Sequence, residues 1–176
     1  YDALRSADIL RAHPKINHEN VLLVGESMGG RYAIIAAAID SSIKGVIAIS
    51  SAGFHVQRDQ FAAENNFLLS IDPDNYISKI SPRKLFMFHG SNDTVSPLAS
   101  AKITYENAKE PKNFFVADGC THGYCIYMQD ELKKDLEIIS TIDAICTAKL
   151  QLGPKKLMPT LRLKNILQNL ICDLKL

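Results

Sequence analysis

The 176-residue sequence predicts an α/β protein, a mostly parallel sheet with helices on both faces. Three observations carry this reading. Apolar runs short enough for buried strands recur at Val21–Val24, Lys44–Ser50, Lys84–Gly90 and Lys112–Ala117. Stretches with helical spacing separate most of them. No hairpin turn joins any two, so the crossovers run through helices.

Composition agrees. Hydrophobic residues make up 47% and charged residues 22%, ordinary values for a soluble globular chain long enough for one domain with a real core. The net charge of +1 gives no overall field that would point to nucleic acid or a membrane. Four cysteines, Cys120, Cys125, Cys146 and Cys172, form no C-x-x-C pair and show no zinc spacing. No signal peptide pattern or membrane-length apolar run is visible. The expectation is a cytoplasmic protein with reduced thiols and no metal or cofactor; a Cys120–Cys125 bridge is the less favoured alternative.

Taken in order, Asp2 to His13 reads as a helix with Leu4, Ala7 and Leu10 on one face, ended by Pro14. The first apolar run follows and enters Gly25-Glu26-Ser27-Met28-Gly29-Gly30, after which Arg31 to Ile39 is helical. The second run leaves through Ser51-Ala52-Gly53. Residues 54 to 82 are mixed and mostly polar, with one short helix expected near Gln60–Leu69 and a turn at Asp72-Pro73-Asp74. After the third run, Ser91-Asn92-Asp93 turns the chain and Ser96-Pro97 opens a helix to about Ala108, serine as its cap. The fourth run ends in the loop Asp118-Gly119-Cys120-Thr121-His122-Gly123. A long helix starts near Gln129, with Leu132, Leu136, Ile139, Ile142 and Cys146 spaced by threes and fours.

Strand, G-x-S-x-G and helix in succession form the context of a nucleophile elbow. The turn strains the serine, small residues at Gly25 and Gly29 make room for it, and the next helix points its first N–H groups at any oxyanion that forms. Ligands of parallel α/β sheets bind beyond the C-terminal strand ends. Ser27, Asp93 and His122 all lie just past such ends, in the chain order that accompanies an elbow. His122 is then the general base and acid, and Asp93 fixes its tautomer. The bland alternatives are a Ser27 that only caps a helix and an Asp93 that only forms a turn. Asp118, also just past a strand, is the best competitor to Asp93. His13, His18 and His55 fit the base role poorly, and His89 reads as a buried, hydrogen-bonded histidine.

These three segments resemble the α/β-hydrolase-fold serine hydrolases. Gly25-Glu26-Ser27-Met28-Gly29-Gly30 is similar to their elbow, Phe88 to Pro97 to their acid-bearing turn, and Gly119 to Gly123 to their histidine loop. Within that superfamily the chain most resembles small esterases, monoglyceride-lipase-like proteins and serine-aminopeptidase-like hydrolases. The resemblance covers residues 1 to about 148 and implies the C-terminal two-thirds of that fold, without its N-terminal strands. It implies catalytic Ser27, Asp93 and His122 and an oxyanion donor at the Met28 backbone N–H. The second donor of that family belongs to a segment this chain does not contain. The short 54–82 region implies an open site without a bulky cap.

Residues 149–176 lie outside the resemblance and carry six Lys/Arg against one Asp. Leu163, Ile166, Leu167, Leu170 and Leu174 form a helical stripe beside Lys155, Lys156, Arg162 and Lys164. Such a basic amphipathic tail packs on its own domain or a second copy, or else touches a membrane or a partner. The expected activity is cleavage of a carboxylic ester, thioester or amide through an acyl-enzyme on Ser27. The alternatives are a non-catalytic binding module of the same fold or an inactive fragment. The elbow strand is expected to lack a partner on one edge, so self-association or a missing N-terminal segment is expected too.

Overall fold

The computed structural model describes residues 2–55 and 63–140. The elements follow in the order α1 (Asp2–Ala12), β1 (Leu22–Glu26), α2 (Met28–Ile39), β2 (Gly45–Ile49), α3 (Ala63–Ser70), β3 (Lys84–Gly90), α4 (Leu98–Glu106), β4 (Lys112–Ala117) and α5 (Gln129–Ser140). The four strands form one parallel sheet in the order β1-β2-β3-β4. Among the described residues β1 is therefore an edge strand, paired only with β2. The tail from 149 onward, and Ile142 and Cys146 of the expected long helix, lie outside the described residues.

Alternation along β2 and β3 builds two cores, one on each face. Val46, Ala48, Leu85 and Met87 pack against Ala33, Ile34 and Ala37 of α2 and Ala101 of α4. Ile47, Ile49, Phe86 and Phe88 pack on the opposite face against Met128 and Leu132. Both central strands are apolar at nearly every position because neither face meets water. The helices on both faces and the parallel pairing match the sequence expectation.

Two element starts differ from that expectation. The second helix begins at Met28 rather than Arg31. Gly29-Gly30 reads locally as a break, yet the elbow turns the chain straight into a helix whose small first turn fits against the sheet. The fourth helix begins at Leu98 with Pro97 in the cap position, and Ser96 makes no cap bond. Ser96 is instead buried, its backbone turned toward Asp93.

The C-terminal end of α2 is held by one cation. Arg83 donates through Nη1 to the carbonyls of Ala37, Asp40 and Ile43 at 2.6, 3.0 and 3.1 Å. The Ala37 carbonyl is one of the acceptors a helix end leaves without an intrahelical donor, and Asp40 and Ile43 belong to the turn that follows. The elbow helix is thereby fixed at both ends, by the β1 turn and by Arg83.

Candidate active site

The local geometry of Ser27 follows from its neighbours. Its backbone adopts φ 54 and ψ −119, a region that costs a non-glycine residue about 1–3 kcal/mol. Three bonds and contacts hold it there. The Ser27 N–H donates to the Ile49 carbonyl at 2.8 Å, and the Ser51 hydroxyl donates to the Ser27 carbonyl at 2.6 Å. A Cβ on Gly25 would collide with the Gly29 backbone, so β1 passes the start of α2 at backbone contact.

The structure corrects one part of the elbow reading. A Cβ on Gly29 would meet nothing, whereas one on Gly30 would collide with the Ser51 side chain. The second obligatory small residue is Gly30, because α2 packs directly on the exit of β2.

His122 stands between Ser27 and Asp93. Its Nδ1 lies 3.0 and 2.9 Å from the two carboxylate oxygens of Asp93, and its Nε2 lies 2.9 Å from the Ser27 Oγ. A carboxylate only accepts, so Nδ1 carries the proton and Nε2 is left to accept from the serine hydroxyl. The three residues singled out from the sequence thus meet in one hydrogen-bonded line. Asp118 does not join it: its Oδ1 accepts from the Ser91 hydroxyl at 3.1 Å.

Asp93 is buried and closely bound. Its Oδ1 accepts from the Val95 and Ser96 N–H groups at 3.0 and 2.8 Å. Burial pushes its carboxyl up, but the Ser96 N–H, His122 and the Val95 N–H outweigh that and hold it below its ordinary value. The carboxylate is therefore ionised wherever His122 needs it. His89 is fully buried, as expected, with Nε2 donating to the Ser96 carbonyl at 2.7 Å. It braces the turn that presents Asp93, while His55 pairs with Asp74 at 3.1 Å.

The Met28 N–H opens α2 and has no intrahelical acceptor. It lies one residue past the serine. The histidine loop is drawn against the end of β3, since a Cβ on Gly90 would collide with the Cys120 and Thr121 carbonyls. The same loop is closed by a Cys120–Cys125 disulfide, with the Cα atoms 6.3 Å apart. The expectation of free thiols is corrected for this pair, because the loop folds back around His122 and brings the two side chains together. Among the described residues no cluster of histidine, cysteine or acidic side chains is suited to a metal.

The sequence pattern missed Ser51 and Ser96. Both act through or upon the backbone; the available signals were the small residues just past β2 for Ser51 and the three-residue spacing from Asp93 for Ser96. A separate cleft of about 330 Å³ between α1 and α2 is lined by Leu4, Tyr32, Ile35 and Ile39 and by none of the three site residues.

Comparison with known proteins bears on the family and the fold. Residues 5–137 match the family model described as BAAT / acyl-CoA thioester hydrolase C terminal. The uncharacterized protein YfhR of Escherichia coli O157:H7 is 31% identical over 124 residues, covering 67% of this chain and 44% of that protein. The chain spans somewhat under half the length of the curated relatives it matches. Acetyl xylan esterase 1 from a Thermoanaerobacterium species superposes with a TM-score of 0.65 at 18% identity, covering 80% of this chain and 52% of that one. The α/β hydrolase GrgF from a Penicillium species gives 0.66 at 18% identity, covering 78% and 69%. At such identities the structural likeness shows the fold alone, an α/β-hydrolase fold.

Proposed function

The chain belongs to the BAAT / acyl-CoA thioester hydrolase C-terminal family, and on that premise we propose that it is a serine hydrolase acting on a carboxylic ester or thioester. The observation that carries this reading is the unbroken line from Asp93 through His122 to Ser27 on a strained elbow. His122 Nε2 takes the hydroxyl proton as Ser27 Oγ bonds to the acyl carbon. The Met28 N–H donates to the oxygen that becomes negative. His122 then gives the proton to the departing alcohol or thiol, leaving an acyl-enzyme. Water, deprotonated by the same imidazole, attacks that acyl group, and the imidazolium returns the proton to the departing Ser27 Oγ, releasing the acid and the free hydroxyl. Asp93 stays ionised throughout and stabilises the imidazolium.

A second reading, a binding module that keeps the fold without turnover, is favoured by one observation. Among the described residues only the Met28 N–H is assigned to the oxyanion. Labelling with a fluorophosphonate separates the two. The hydrolase reading expects stoichiometric modification of Ser27, lost in Ser27→Ala, together with a fall of at least about 10³-fold in hydrolysis of a short p-nitrophenyl ester. Absence of labelling and of ester hydrolysis in the folded protein would leave the binding module, whereas full activity in Ser27→Ala would remove Ser27 from the mechanism.

A further inference from the structure

We propose that Glu26 is a positioning residue for this reaction, fixing the loop that carries the general base to the residue that precedes the nucleophile. The inference rests on the roles given to Ser27 and His122 above. Glu26 ends β1, and its Oε2 accepts the backbone N–H of Tyr124 at 3.0 Å, across 98 residues of chain. Tyr124 lies two residues past His122. Between them Gly123 has φ +93, and a Cβ there would sit 3.2 Å from Glu26 Oε1. The carboxylate thus closes on bare backbone, with no room for a side chain between.

The neighbouring N–H is bound in the same manner. Gly123 donates to Ser50 Oγ at 2.9 Å, and Ser50, just past β2, has φ 49. The two N–H groups that follow His122 therefore end on side chains from the exits of two adjacent strands. No strand or helix ladder takes them, since residues 119–125 form none. Bonds to a charged acceptor are the stronger kind, so Glu26 makes the firmer of the two anchors.

The consequence is geometric. Glu26 is joined covalently to Ser27, whose backbone is fixed by the elbow. Holding the Tyr124 N–H at Glu26 sets the height of the loop relative to the nucleophile. A general base works within about 2.6–3.2 Å of its proton donor, and His122 Nε2 stands at 2.9 Å. Misplacement by about 1 Å is enough to lose about 100-fold in rate.

The test compares Glu26→Ala, Glu26→Gln and Ser27→Ala in the full chain. The measurements are hydrolysis of a short p-nitrophenyl ester, thermal melting and amide hydrogen exchange at Tyr124. Glu26→Ala is expected to lower kcat by about 10- to 100-fold with KM changed less than about twofold, and to speed exchange at Tyr124. Glu26→Gln keeps an acceptor oxygen and is expected to restore both to within about threefold of the parent. A kcat for Glu26→Ala within about twofold of the parent, or no rescue by glutamine, overturns the inference. So does Tyr124 exchange that is equal in the parent and Glu26→Ala, a result that needs no turnover. If Ser27→Ala retains the rate, the nucleophile assignment itself falls. Loss in Ser27→Ala with an unaffected Glu26→Ala sinks only the positioning role.

Discussion

His122 Nε2 stands 2.9 Å from the Ser27 hydroxyl, although 95 residues separate them in the chain. The sheet makes this meeting possible. Parallel strands all end on the same side, so the turns after β1, β3 and β4 deliver Ser27, Asp93 and His122 to one edge.

The acid can be told from its competitor. Asp93 is bonded to both the imidazole and two backbone N–H groups, whereas Asp118 accepts from Ser91 on the surface. Asp93→Asn is expected to lower kcat by roughly 10³-fold or more, and Asp118→Asn by less than about threefold. Ester hydrolysis by the two variants, measured side by side, checks the ranking. The reverse order would assign the role to Asp118.

The elbow predicts an asymmetry between adjacent glycines. Gly29→Ala enters open space within α2 and is expected to be neutral or to stabilise by up to about 1 kcal/mol, as alanine favours helix. Gly30→Ala drives a methyl into Ser51 and against the Gly25 carbonyl, and is expected to cost about 1–3 kcal/mol. Denaturant unfolding of the two variants reads the difference directly. Equal stabilities would mean that α2 moves away from β2 without penalty.

The elbow glycines separate what local pattern carries from what tertiary packing decides. The four strands announced themselves through uninterrupted apolar runs, and each site residue could be placed because it stands just past one. The motif points to Gly29 because it counts residues along the chain, whereas the crowding falls on Gly30 and comes from Ser51, just past β2. Ser96 reads as a helix cap, whereas its N–H is committed to Asp93 three residues earlier. Glu26 read only as the variable position of a motif, its partner lying 98 residues away. Local pattern thus carries the candidate site residues, whereas the bracing by Ser51 and Glu26 emerges from tertiary contact.

A Cys120–Cys125 disulfide in the histidine loop predicts that activity responds to reduction. Cys120 and Cys125 enclose His122, so reduction removes one constraint on the base without touching it. Replacing both with alanine is expected to cost about 2 kcal/mol of stability by the loop-entropy estimate and several-fold in kcat. Ester hydrolysis with and without dithiothreitol checks this. The parent should slow on reduction while the double variant should not respond. A parent indifferent to reductant would show that the other anchors suffice.

The last prediction concerns a buried acid away from the site. Asp135 on α5 is almost wholly buried, and neither carboxylate oxygen has a close hydrogen-bond partner. Burial, and then the charge of Glu131, push its carboxyl up to about 6; Lys134, the Asn113 amide and Lys84 offset only part of this. The sign follows from linkage. In the folded protein Asp135 holds its proton up to about pH 6, whereas in the unfolded chain it loses it near 4. Between those values the folded state binds more protons, so this group's contribution to stability falls as pH rises and levels off above about 6. Asp135→Asn removes the buried charge while keeping the shape. It is expected to be roughly 2–3 kcal/mol more stable than the parent at pH 7, with the gap closing toward pH 4. Urea unfolding of both proteins across that range measures it. A constant gap, or a variant less stable than the parent at pH 7, would mean that the Asp135 carboxylate finds favourable partners in the folded protein.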